Sequence, residues 1–195
     1  PVAMKIAFGE NPKRCYGGNN KKAPITRMGT AALLRETLQK ARNYKEALDA
    51  WEKDPKENKK PDFDMKLHAM LPVMRGEIPL KSHAHRADDI FTSLRIAKEF
   101  GVDITLDHCT EGHLIAEELA AEQRPCLVGP TFGSKSKFEL KNKCWDTPRA
   151  LVEKVLEHFG RLDALVCGAG VAWQGLTQDM GAEDYRRVIG VDLDG

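Results

Sequence analysis

The sequence predicts an α/β fold built on a parallel sheet, and three observations carry that expectation. Short apolar runs alternate with longer amphipathic stretches, which is the pattern of βα units. Glycines and prolines fall at the joints between them, as at Gly76, Gly101 and Gly160. The composition, 42% hydrophobic and 30% charged over 195 residues, is enough to bury a core in one domain or two small ones.

In chain order, Met4 to Phe8 reads as the first strand. A loop rich in Gly, Asn and Lys follows. Met28 to Trp51 is a helix, because Leu33, Leu34, Leu38, Ala41, Tyr44 and Leu48 recur at helical spacing. The charged stretch Lys53 to Pro61 is a linker, and Phe63 to Met74 is a second helical stretch, broken or kinked by Pro72 and closed by Gly76. Ile78 to Ser82 is a strand, Ala87 to Phe100 a helix ended by Gly101, Asp103 to Asp107 a strand, and His113 to Glu122 a helix.

Pro125 to Val128 is the next short strand, and Gly129 to Lys143 is irregular and basic. Thr147 is placed to cap a helix that has Pro148 at its first position, where a missing N–H costs nothing, and that helix runs to Phe159 before Gly160. Asp163 to Cys167 reads as a buried strand ending in Gly168-Ala169-Gly170, and Ala182 to Ile189 as a last helix. There is no internal repeat. Both ends of the chain read as cut from something longer.

Lys and Arg number 30 against 29 Asp and Glu, so the net charge of +1 offers no broad field for a nucleic acid or an anionic membrane. A small-molecule partner is expected instead. Five cysteines without a Cys-x-x-Cys pair read as reduced thiols in a cytoplasmic protein. No run approaches the 18 or so apolar residues of a membrane helix.

His83 and His85 stand two apart at the end of a strand, so their side chains leave one face and can converge on an ion. His108 ends the next strand, and in a parallel sheet the carboxyl ends of successive strands share a rim. Three imidazoles there would suit zinc, with iron or manganese as alternatives. His83 and His108 are the leading ligand candidates. His85 is either a third ligand or a substrate-facing group. The plainer alternative makes all three ordinary polar rim residues. His68 and His158 have no partner at ligand spacing and read as packing or surface residues, with His113 between the two classes.

Four segments together carry a resemblance: Met4-Lys5-Ile6-Ala7-Phe8-Gly9-Glu10-Asn11-Pro12-Lys13-Arg14, Thr26-Arg27-Met28-Gly29, His83-Ala84-His85-Arg86-Ala87-Asp88-Asp89, and Asp107-His108-Cys109-Thr110-Glu111-Gly112-His113. In this order they resemble the imidazolonepropionase-related, metal-dependent amidohydrolases over about residues 1–149. The resemblance implies a partial (β/α)8 barrel carrying about strands four to seven. By that likeness His83 and His108 are the metal histidines of strands five and six. Lys5 fits the fourth-strand lysine that bridges two metals in some relatives when carboxylated. The family also uses an eighth-strand aspartate and a first-strand His-x-His pair, and this sequence carries neither. Glu10, Asp88 and Glu111 are the nearest acids by motif, each as easily a cap or a solvated side chain.

From about Leu151 the text changes. Glu157 to Gly170, then Asp184-Tyr185-Arg186-Arg187-Val188-Ile189 and Val191-Asp192-Leu193, resemble the middle of a short-chain dehydrogenase/reductase. That likeness implies Rossmann-like βα elements over 150–195, continuing the partial barrel as an open parallel sheet, and gives Gly168 and Gly170 a cofactor-holding turn. The sequence departs from the family where Gly168 replaces the turn asparagine and Asp192 the active-site asparagine, and it lacks the glycine-rich first turn and the Tyr-x-x-x-Lys pair. NAD(P) is therefore not expected to serve a hydride transfer.

The expected function is metal-dependent hydrolysis of a C–N bond in an amide or lactam, in an incomplete and even inactive site. The alternatives are a non-catalytic chimeric or designed α/β scaffold and an NAD(P)-binding oxidoreductase remnant. Open sheet edges would favour pairing with a second copy of the chain.

Overall fold

A computed structural model describes residues 1–18, 21–129, 137–142, 144, 146–164, 175 and 177–193. The chain divides into two compact units, Pro1–His158 and Phe159–Gly195.

The first unit is an α/β fold around a four-stranded parallel sheet. Strands β1 (Met4–Ala7), β2 (Leu80–Ala84), β3 (Ile104–His108) and β4 (Cys126–Val128) lie side by side in chain order, all parallel. Among the described residues that order never reverses, unlike a doubly wound sheet, where the reversal creates a crevice. The register aligns Ala7, His83, Asp107 and Leu127 in one row and Ala84, His108 and Val128 in the next.

The helices bury the apolar face of the sheet. Helices α1 (Glu10–Lys13) and α2 (Arg27–Lys53) follow β1; Thr26 caps α2 by accepting the Gly29 N–H at 2.9 Å. Ala31, Leu38, Ala41, Tyr44 and Leu48 form its buried stripe. The helical stretch read as broken or kinked by Pro72 is broken, into two short helices, α3 (Met65–Ala69) and α4 (Leu71–Met74), with Met70 between them. Pro72 lies in the first turn of α4, where it needs no N–H partner, so the chain restarts a helix there instead of bending one.

Helix α5 (Ala87–Phe100) has the predicted bounds. Ile90, Leu94, Ala97 and Phe100 are buried, Asp88 and Asp89 occupy its first turn, and Gly101 takes the left-handed conformation at φ 65° that ends it. Leu80, Ser82 and Ala84 of β2 and Ile104 and Leu106 of β3 are buried in the core that it helps form. After β3 come a 3-10 turn at Gly112–Leu114 and α6 (Ala116–Glu122) in place of one longer helix.

Helix α7 spans Asp146–Phe159. It starts one residue before Thr147, which is therefore inside the helix and not its cap. The Thr147 hydroxyl is instead committed to a tertiary contact, donating to the Thr110 carbonyl at 2.6 Å. In the second unit, a 3-10 turn at Thr177–Asp179 precedes α8 (Ala182–Asp192), three residues longer than predicted. The strand expected at Asp163 to Cys167 and the Gly168 to Gly170 turn lie mostly or wholly outside the described residues, and the described Asp163 and Ala164 are not in a strand. Cys109, Cys126 and Cys144 are free thiols. Among the described residues no helix is long and apolar enough to cross a membrane.

Candidate metal centre

The pleat of β2 sends Ser82 and Ala84 into the helix-covered core, so His83 and then His85 leave the opposite face. Both imidazoles are buried. By the same alternation His108, level with Ala84 in the register, should follow Leu106 toward the helices. It does not. His108 and Cys109 both adopt positive φ, 80° and 43°, and this left-handed turn carries the His108 ring back to the other two.

The ring centroids are 4.7 Å apart for His83 and His85, 4.5 Å for His83 and His108, and 4.8 Å for His85 and His108. One ring nitrogen from each lies within 4.8 Å of the others.

Two consecutive non-glycine residues at positive φ cost on the order of 1–3 kcal/mol each and persist only where the surroundings over-determine them. Here they do. The Cys109 N–H donates to the Ala84 carbonyl at 3.1 Å, the Glu111 N–H to the His85 carbonyl at 2.9 Å, and the Gly129 N–H to the His108 carbonyl at 3.2 Å.

Backbone and side-chain partners also set the rings. His108 Nδ1 lies 2.7 Å from the Gly129 carbonyl oxygen, an acceptor only, so Nδ1 donates to it and Nε2 is the ring nitrogen left for a ligand. His85 Nδ1 is 2.7 Å from the Thr110 hydroxyl. On His83, Nε2 is 3.0 Å from Asn11 Nδ2, while Asn11 Oδ1 accepts from Lys137 Nζ at 2.6 Å. The lysine can only donate, so the Asn11 amide nitrogen faces His83 and donates to Nε2. Burial, then the positive fields of His108, Lys137 and Lys5, hold the His83 imidazole down at about 4, and Asp107 only partly offsets them. His83 is thus neutral at physiological pH, the form that ligates metals.

Lys5 lies on the same face of the sheet, two rows deeper than His83, beside Lys81. Its ammonium contacts Asp107 Oδ2, and Lys81 Nζ is 2.7 Å from Asp107 Oδ1. Burial alone would raise the Asp107 carboxyl, but hydrogen bonds from Lys5 and Lys81 outweigh it and hold the group below its ordinary range.

Of the acids singled out by motif, Glu111 is a cap across space: Oε2 accepts from the Ala87 N–H at the start of α5 at 3.0 Å, and Oε1 from Asn142 Nδ2 at 2.8 Å. Glu10 accepts the Glu139 N–H at 3.0 Å, and the exposed Asp88 pairs with Arg86. His113 bonds Thr147 Oγ1 at 2.8 Å, His68 packs against Tyr44 and Phe63, and His158 is 3.1 Å from Gln123 at the surface. Gly168 and Gly170 lie outside the described residues.

One residue beside the histidines was not singled out. Glu139 is fully buried, and its Oε1 is 3.9 Å from His85 Nε2. Its other oxygen accepts the Glu10 N–H at 2.7 Å, and burial is the largest influence on its carboxyl, pushing it above the ordinary range. A signal existed in the sequence: Glu139 is the lone acid in the basic stretch 129–143.

No family model matches the chain. The crystal structure of an amidohydrolase from Thermotoga maritima superposes with a TM-score of 0.74 at 40% identity, covering 79% of this chain and 39% of that one. Amidohydrolase tasK of Hapsidospora irregularis is 27% identical over 123 residues, 60% of this chain and 12% of that protein. A short-chain dehydrogenase/reductase of Armillaria gallica is 26% identical over 132 residues, covering 65% of this chain and 46% of its own length. The 3-oxoacyl-[acyl-carrier-protein] reductase FabG of Thermotoga maritima is 34% identical over 103 residues, 51% of this chain and 42% of the reductase.

Both reductase matches are longer than the stretch 150–195, so they extend into the first unit. The chain spans less than half the length of each of these proteins. In fold and in sequence, the chain is amidohydrolase-like, and its three clustered histidines are compatible with a divalent metal.

Proposed function

We propose that His83, His85 and His108 hold a divalent metal ion, zinc in the first instance with iron or manganese as alternatives, in a hydrolase site acting on the C–N bond of a small amide or lactam. The observation that supports this most directly is the cluster itself, three imidazoles with ligand atoms within 4.8 Å at the carboxyl ends of two parallel strands. The donor set fits: His108 presents Nε2 because its Nδ1 is bonded to a carbonyl, and His83 is neutral.

A metal bound there would supply Lewis acidity toward a carbonyl and a water. The chain's own residues do the rest. Asn11, tied to Lys137, donates to His83 Nε2, so His83 ligates through that atom only if the amide swings away. Lys5 serves as a bridging ligand only if it leaves Asp107, where Lys81 remains to compensate the carboxylate.

Metal content of the purified chain tests this reading, measured by elemental analysis beside His83→Ala and His108→Ala. About one metal per chain, lost in both variants, is the expected result. A wild-type protein without stoichiometric metal would refute it. Bound metal with no hydrolysis across a panel of amides and lactams would favour a metal-holding scaffold. The two reductase likenesses support a second reading, a dinucleotide-binding remnant. Saturable binding of NAD or NADP tests that reading, and its absence ends it.

A further inference from the structure

Glu139 is a carboxylate that neither the motifs nor the fold accounts for. It lies in the 3-10 turn Phe138–Leu140, far in sequence from every strand carrying the histidines, yet its side chain is 0% exposed. A buried carboxylate without full compensation is costly, so one that is kept needs a partner. Oε2 has partners: the Glu10 N–H at 2.7 Å, and Arg27 Nη2 at 3.9 Å. Oε1 is buried and, among the described residues, accepts no hydrogen bond. Lys137 Nζ is 3.7 Å from it, too far for a hydrogen bond, and His85 Nε2 is 3.9 Å away.

The geometry points to Glu139 as a fourth protein ligand of the ion held by His83, His85 and His108, bound through Oε1. This rests on the metal-centre reading above and extends its donor set by a residue from a different part of the chain. Two ligand atoms at ordinary zinc bond lengths and a tetrahedral angle are about 3.3 Å apart. The observed 3.9 Å between Oε1 and His85 Nε2 is about 0.6 Å longer than that separation.

The loop between β1 and α1 is shaped around the carboxylate. Gly9 takes φ 77°, which disfavours any other residue, and a Cβ built there would stand 2.2 Å from Glu139 Oε2, so a side chain at this position would have to displace the carboxylate. Glu10 and Glu139 also clasp one another reciprocally, each side chain accepting the other's backbone N–H, at 2.7 and 3.0 Å. The turn that delivers Glu139 is thereby fastened to the sheet that delivers the histidines.

Cobalt(II) titration of the full chain, read by its visible d–d absorption, tests the assignment beside Glu139→Gln. The wild type should take one cobalt with the intense bands of a four-coordinate site. Glu139→Gln should bind more weakly and with a shifted spectrum. The expected loss is at least on the order of 10- to 100-fold, since removing even an outer partner of a ligand costs that much. Unchanged affinity and spectrum in Glu139→Gln would overturn the carboxylate assignment while leaving the three-histidine site standing, and Glu139 would be a structural counter-ion to Arg27 and Lys137. No cobalt on the wild type would overturn both readings. Should Glu139→Gln fail to fold, the infrared difference between zinc-loaded and zinc-free wild type decides: a shifted carboxylate stretch is expected, and its absence overturns the proposal.

Discussion

Replacing Arg27 with methionine removes the cation that two buried carboxylates face. Arg27 Nε donates to Asp89 Oδ2 at 3.0 Å, and its Nη2 is 3.9 Å from Glu139 Oε2; the two acid side chains are 4% and 0% exposed, and Arg27 is 29% exposed. Methionine keeps most of the stem packing and deletes only the charge and its donors. Breaking a buried pair by removing one partner costs about 3–5 kcal/mol, because the remaining charge is left uncompensated. Solvent reaches part of Arg27, which lowers the expected loss to about 2–3 kcal/mol. For a chain of this size, that corresponds to a fall of about 4–12 °C in Tm.

The loss should depend on pH with a definite sign. Burial raises the Asp89 carboxyl above 3.8, and hydrogen bonding to Arg27 opposes that rise, so the variant's Asp89 titrates higher still. A carboxyl whose folded-state pKa is raised holds its proton more tightly when folded. Stability is therefore lost as pH rises through the window between 3.8 and the folded value. The deficit of Arg27→Met against wild type should shrink as the pH falls from the variant's folded-state value to that of the wild type, and adding Asp89→Asn should restore a large part of it at pH 7. Urea unfolding followed by circular dichroism across pH gives all three readings. A loss under about 0.5 kcal/mol, the range of ordinary surface substitutions, or a deficit that does not change with pH, would refute the reasoning.

Zinc at about 100 times its Kd should raise the wild-type unfolding free energy by about 2.7 kcal/mol, and leave His83→Ala and His108→Ala unshifted in a thermal melt. Glu111→Ala deletes the acceptor for the Ala87 N–H at the start of α5 and should cost about 1–2 kcal/mol in urea unfolding with metal content unchanged, which separates a cap from a ligand. Gly9→Ala places a Cβ against Glu139 at a positive φ and should destabilise the chain by more than about 1 kcal/mol, with weaker cobalt binding as the carboxylate is displaced.

Features that depend on neighbours along the chain are legible in the sequence. Helix α5 could be read to the residue because its apolar period, its acidic first turn and Gly101 all lie within one local stretch. His83 and His85 share a face because the strand period is two, whatever the sheet does. The parallel sheet followed from the alternation of strands and helices, although β2 sits two residues later than its apolar run suggests.

Other features needed the tertiary structure. Thr147 has a capping residue's chemistry and the right sequence position, but it lies inside α7 and its hydroxyl is used by the Thr110 carbonyl. His108 reaches the cluster only through a left-handed turn that Ala84, His85 and Gly129 hold by backbone hydrogen bonds, where strand alternation alone would have sent it into the core. Glu139 meets Glu10 across 129 residues of sequence. No local periodicity encodes that meeting, because it exists only once the parallel strands have brought their carboxyl ends to one rim.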